Sequence, residues 1–192
     1  FSFFKPKTKV DWRVFNGFAA FIIALFVEMY GFPLTLYFLS GWLGSRFPQI
    51  NLFSHDAGHL WYSFLGFQGN PHFNPIHLFS NFLILIGFIF LSSSWRILYA
   101  AQCEHRLAET GPYAYVRHPQ YVAFILIMFG FLIEWPTLVT LFMFPILVTM
   151  YTRLARKEEE DAKKDFGGVW EKYAGRVPAF FPKLFSKNKV AL

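Results

Sequence analysis

The chain of 192 residues is 55% hydrophobic and 22% aromatic, and only 16% of it is charged, against roughly 25% in soluble domains. That deficit falls in long stretches with no charge at all, which excludes an ordinary soluble domain and points to an integral membrane protein. The formal charge of +6 flanks the apolar runs and forms no basic–aromatic loop suited to base stacking, so no nucleic-acid partner is expected.

In chain order, "FSFFKPKTKVDWR" (residues 1–13) precedes an apolar stretch too long for the roughly 7–15-residue core of a signal peptide. It reads as a retained first membrane helix, and because the chain starts at Phe1 rather than Met, a few leading residues are expected before it. This first span covers Val14 to Leu43 and is interrupted by Glu28, Gly31 and Pro33. A spanning helix needs about 20 residues, so a kink at Pro33 is expected, with Glu28 capping the backbone N–H groups that the kink frees.

A polar, turn-rich stretch from Gly44 to Pro75 follows. Within it "HDAGH" sets His55 and His59 four residues apart, on one helical face, with Asp56, His72 and His77 near in sequence. Such spacing could hold a transition metal; the plainer reading is interfacial histidines packed beside Trp61 and Tyr62. A second span runs from Ile76 to Ala101, and the connector "QCEHRLAETGPYAYVRHP" leads to a third span, Pro119 to Ile133. Cys103, the single cysteine, rules out an internal disulfide and a thiolate metal cage, and reads as a small apolar filler near a helix end. "EWP" makes a tight turn, in which Glu134 is expected to be solvated, and a fourth span runs from Thr137 to Leu154. The tail is expected to form a charged amphipathic helix and then an aromatic end that skims the membrane. The fold class is therefore all-α, an integral membrane bundle of about four transmembrane helices in a single domain, 1–192.

Four of the lysines and arginines precede the first span, one lies in the second loop, three lie between Arg96 and His118, none lies in the "EWP" turn, and ten follow Thr152. By the positive-inside rule both termini and the Arg96–His118 connector face the cytoplasm.

Spans three and four are joined by a three-residue turn, so they must run antiparallel as neighbours. Their cytoplasmic ends then bring "RHPQY" (117–121) against "RKEEE" (156–160). Pro119 suits the first position of a helix, and the N–H groups and dipole at that helix start favour an anion. Glu158, Glu159 and Glu160 can accept hydrogen bonds, while Tyr113, Tyr115, Tyr121, Trp170 and Tyr173 offer faces to a flat base or an organic cation. A ligand with an acidic group, a sugar and a cation suits this set. No Gly-rich phosphate loop favours a dinucleotide. The plainer alternative is a set of interfacial anchors with an Arg156–Glu160 pair on a solvated helix face.

"GPYAYVRHPQY" (111–121), the hydrophobic hairpin, "RKEEE", Phe166-Gly167 and "WEKYAGRVPAFFP" (170–182) together resemble the membrane methyltransferases that include isoprenylcysteine carboxyl methyltransferases and phospholipid N-methyltransferases. The resemblance covers roughly the C-terminal half. It implies S-adenosylmethionine as methyl donor, held at the cytoplasmic face by Gly111, Tyr113, Arg117, His118, Tyr121, Arg156, Glu158, Glu159 and Tyr173, with Arg117 and Glu159 carrying the chemistry. Residues 111–183 would form the donor half and 1–110 the acceptor side. The acceptor would be a small hydrophobic or membrane-partitioned molecule bearing a carboxylate, amine or thiol. Two rival readings are an NADPH-dependent reductase of the sterol type, since RHP-x-Y also occurs there, and a non-enzymatic metal-handling membrane protein built on His55 and His59.

Overall fold

The computed structural model describes residues 9–31, 33–48, 51, 58–59, 61, 64–66 and 71–182. The regular elements are α1 (Lys9–Phe26), which runs on into a π-helical turn (Val27–Gly31), α2 (Leu34–Arg46), α3 (Pro75–Cys103), α4 (Pro119–Glu134), α5 (Leu138–Phe166) and α6 (Gly168–Arg176). Short 3-10 turns at Pro71–Phe73 and Gly111–Ala114 precede α3 and α4. Every regular element among the described residues is helical, as the composition requires.

The starts of the long helices are written in their sequences. Asn74 accepts from the N–H of Ile76 at 2.7 Å and of His77 at 3.0 Å, with Pro75 in the first turn of α3. Thr137 accepts from the Thr140 N–H at 3.1 Å and starts α5 in the same way. Trp12–Gly31, α3 and α5 are long and apolar enough to cross a bilayer. α4, with 16 residues, reaches about 24 Å against a hydrocarbon core of ~30 Å; it is a shorter apolar helix, largely buried among the others.

Two boundaries and the setting of one side chain differ from the sequence reading. The first span is not one kinked helix to Leu43: the chain leaves α1 through the π-turn and restarts as α2 after Pro33. Glu28 does act as the cap, since Thr35 donates to it from both N–H (3.0 Å) and Oγ1 (3.1 Å). α5 does not stop near Leu154 but carries its charged half unbroken to Phe166, because Arg, Lys, Glu and Ala all propagate a helix once it has left the membrane. Nor is Glu134 solvated. Its side chain is 16% exposed and accepts from Ser80 Oγ at 3.3 Å.

Small residues set the packing. A Cβ on Gly87 would lie 2.5 Å from Ile127 Cγ1 and 3.3 Å from Ala123 O, and one on Gly130 would lie 2.6 Å from Ile84 Cγ1 and 3.2 Å from Ser80 O. α3 and α4 therefore meet backbone to backbone along an antiparallel seam, the device by which membrane helices gain dispersion contact without a hydrophobic drive. α1 lies along α5, where Tyr151 Oη donates to Val14 O at 3.3 Å. The core between α1, α3, α4 and α5 holds Phe18, Phe21, Leu91, Phe124, Ile127 and Tyr151, with the Phe18 and Phe124 rings 4.8 Å apart.

Candidate active site

α4 and α5 do form the expected hairpin, and at its open end the two charged motifs meet. His118 caps α4 and is buried; its Nε2 lies 2.9 Å from Glu159 Oε1 and its Nδ1 lies 3.5 Å from Glu158 Oε2. Arg117 approaches the same carboxylate oxygen through Nε (2.9 Å) and Nη2 (2.8 Å). Burial alone would lower the pKa of His118, but the hydrogen bonds and charges of Glu158 and Glu159 outweigh it and hold the imidazole above its usual 6.5.

Arg117 has further commitments. Its Nη1 donates to Val177 O at 2.7 Å and to Ala174 O at 3.1 Å, carbonyls at the exit of α6, where a cation also complements the helix dipole. Its guanidinium stands 5.9 Å from the centre of the Trp170 ring. The backbone follows suit, with Arg117 N–H donating to Pro178 O (2.8 Å) and His118 N–H to Ala179 O (3.1 Å). Phe180 lies 5.5 Å from the His118 ring. The expected membrane-skimming end is therefore, as far as Phe180, a strap across the start of α4; residues 183–192 lie outside the described residues.

A cavity of about 680 Å³ opens beside this cluster, between the end of α3, the start of α4 and the charged half of α5. Of the nine residues that the resemblance assigns to the donor, Tyr113, Arg117, His118, Glu158, Glu159 and Tyr173 line it, as does Trp170. The other three stand elsewhere. Tyr121 is fully buried, stacked between His118 and Tyr151. Arg156 is exposed on α5. Gly111 opens the 3-10 turn at φ +58°, where a Cβ would lie 2.5 Å from Ile97 Cδ1; only glycine lets the turn rest on α3 there.

Other lining residues were not singled out from sequence. Gln120 accepts from Tyr113 Oη at 2.9 Å, and Tyr173 Oη donates to Tyr113 O at 2.7 Å. Asp161 and Asp165 line the cavity as well, and their spacing of three and seven from Glu158 was a readable sign, since it puts all three on one helical face. Leu98 and Ala101 form the apolar wall; inside a uniformly apolar span nothing marks them. Four carboxylates (Glu158, Glu159, Asp161, Asp165) thus face three fixed cations (Arg106, Arg117, Lys164).

Residues 74–163 match the family model for isoprenylcysteine carboxyl methyltransferases. Over that segment the chain is similar to this methyltransferase family. It contains α3, α4, His118 and Glu158–Glu159, while Asp165, Trp170, Tyr173 and the strap lie beyond the matched residues. A curated relative, the nickel-cobalt-cadmium resistance protein NccN of Alcaligenes xylosoxydans xylosoxydans, is 34% identical over 93 residues; the alignment covers 47% of this chain and 43% of that protein. The chain thus spans less than half the length of the curated relative it matches. No solved structure matches the chain significantly.

At the other end of α4 the structure brings His59, His72 and His77 together. His55 and Asp56, the other members of the sequence cluster, lie outside the described residues.

Proposed function

We propose that the chain is a membrane methyltransferase that binds S-adenosylmethionine in the 680 Å³ cavity and methylates a small lipophilic acceptor. The observation that carries this reading is the joint closure of that cavity by His118, Arg117 and Glu159, at the open end of a hairpin whose sequence is similar to a methyltransferase family. Pockets for ligands of this size run to about 300–1,000 Å³.

The lining suits the donor. Leu98 and Ala101 offer an apolar bed for a flat base, Tyr113 and Tyr173 offer aromatic faces, and four carboxylates offset the cations of the lining, so no net positive charge draws a pyrophosphate. That balance is the reason to prefer this reading to a pyridine-nucleotide reductase. When bound, S-adenosylmethionine supplies a methyl group already activated by its sulfonium. The protein's work is alignment and exclusion of water, worth about 7–11 kcal/mol when reacting atoms are held in place. His118, whose protonated form its two carboxylates favour, suits a ligand carboxylate. Glu158 is less heavily committed than Glu159 and can take the proton of an amine acceptor.

Arg117 acts here by position: its hydrogen bonds to Glu159, Ala174 and Val177 hold α5, α6 and the strap around the cavity. We assign this end of the bundle to the cytoplasmic face, since it collects most of the lysines and arginines. The acceptor is read as entering sideways from the lipid, past the apolar end of α3.

The decisive experiment is calorimetric titration of the purified chain with S-adenosylmethionine and, separately, with NADPH, followed by mass spectrometry of membranes for a +14 Da product from labelled donor. Saturable donor binding and a labelled lipophilic product are expected. Binding of NADPH alone would overturn the reading.

A further inference from the structure

At the end of α4 remote from the donor cavity, about 24 Å away along a 16-residue helix, three histidines from three segments converge. His77 lies in the first turn of α3, His72 in the 3-10 turn before it, and His59 in the segment that follows α2. Their ring centroids are 4.9, 5.0 and 5.4 Å apart. Each offers a nitrogen, and those nitrogens all lie within 4.8 Å of one another. Ligand nitrogens at 2.0–2.1 Å from a tetrahedral cation are about 3.4 Å apart, so side-chain rotations alone can close the set.

Two further features single out this cluster from ordinary aromatic packing. A void of about 10 Å³, the size of one water or ion, is lined by His59, Asn74, His77 and Glu134. His77 is also divided between two environments. Its Nε2 faces Glu134 Oε1 at 3.6 Å, while its Nδ1 is buried with no hydrogen-bond partner among the described residues. A carboxylate behind one ring nitrogen, with the other left to bind, is the usual support for a metal-ligating histidine. Glu134 is itself held by Ser80, and Trp135 walls the cluster with its ring 4.8 Å from His59.

We propose that His59, His72 and His77 form a binding site for one divalent transition-metal cation, with Glu134 orienting His77 from behind. Three imidazoles without a thiolate select a borderline cation such as Ni²⁺, Co²⁺ or Zn²⁺ over Ca²⁺ or Mg²⁺, which want oxygen ligands. A bound ion would tie the segment after α2 to the start of α3, at the face opposite the donor cavity.

The test is titration of the full chain, purified in detergent without a polyhistidine tag, with Co²⁺, followed by its visible absorption and by calorimetry. One saturable equivalent is expected, with affinity reduced at least tenfold in His72→Gln and in His77→Gln. Helical circular dichroism reports the fold of each variant. Should the buried His77 variant fail to fold, His72→Gln, at an exposed position, still decides. Absence of saturable uptake by the unsubstituted chain, or unchanged affinity in His72→Gln, overturns the proposal. The titration contains no methyl donor, so its outcome is independent of the methyl-transfer reading.

Discussion

Glu159 holds two side chains from one oxygen, Arg117 through Nε and Nη2 and His118 through Nε2. Glu159→Gln keeps the shape but removes the charge, and hydrogen bonds to charged groups are worth about 1.5–3 kcal/mol each. We expect a variant that folds, melts lower by roughly 2 kcal/mol, and binds S-adenosylmethionine at least tenfold more weakly in calorimetry. The same cluster sets a pH dependence. His118 titrates above its ordinary 6.5 in the folded chain, so its stabilising contribution is complete below about 6.5 and is lost as pH rises through the higher folded value. The thermal midpoint should therefore fall across that window in the unsubstituted chain, and His118→Gln should lack the decline. In Glu159→Gln the imidazole resonances should titrate at lower pH. Tyr121 shows what a motif hides at this scale: the "RHPQY" string makes it look like its neighbours, but only the stack on His118 and Tyr151 reveals that it supports the histidine from the core.

Among elements, the seam between α3 and α4 is the feature most exposed to a single methyl group. Gly87→Ala and Gly130→Ala each place a Cβ within 3.3 Å of backbone on the facing helix, so the helices must part. Overpacking of this kind costs typically 1–3 kcal/mol. Melts in detergent should show that loss for each variant, and donor binding should weaken too, because Leu98 and Ala101 on α3 and His118 on α4 line the same cavity. Much of the helix inventory was legible in sequence, since apolar length marks a span, Asn74-Pro75 and Thr137 mark helix starts, and the short "EWP" turn makes α4 and α5 antiparallel. The seam was not. A lone glycine in an apolar run shows that something comes close, without saying which helix. The extension of α5 and the break before α2 were hidden for another reason: hydropathy reports where a helix leaves the membrane, not where it ends.

For the molecule as a whole, α4 spans from the histidine cluster at one end to the donor cavity at the other. The cavity draws on Leu98 and Ala101 at its early edge and Tyr173 at its late edge, and the strap at Pro178–Ala179 completes it. A chain truncated after Arg176 retains α1 to α6 but loses the carbonyls of Val177, Pro178 and Ala179 that fix Arg117 and His118. We expect it to insert in membranes with nearly full helical circular dichroism and to show no measurable S-adenosylmethionine binding. Retained binding would relieve the strap of its role.

The position of that strap also fixes a birth order. Val177 to Ala179 are translated after every apolar helix of the described residues, so the chain cannot grip a ligand until this stretch has left the ribosome. Competence comes after the membrane helices are made, and a newly made chain is kept inert until this strap is free to fold back.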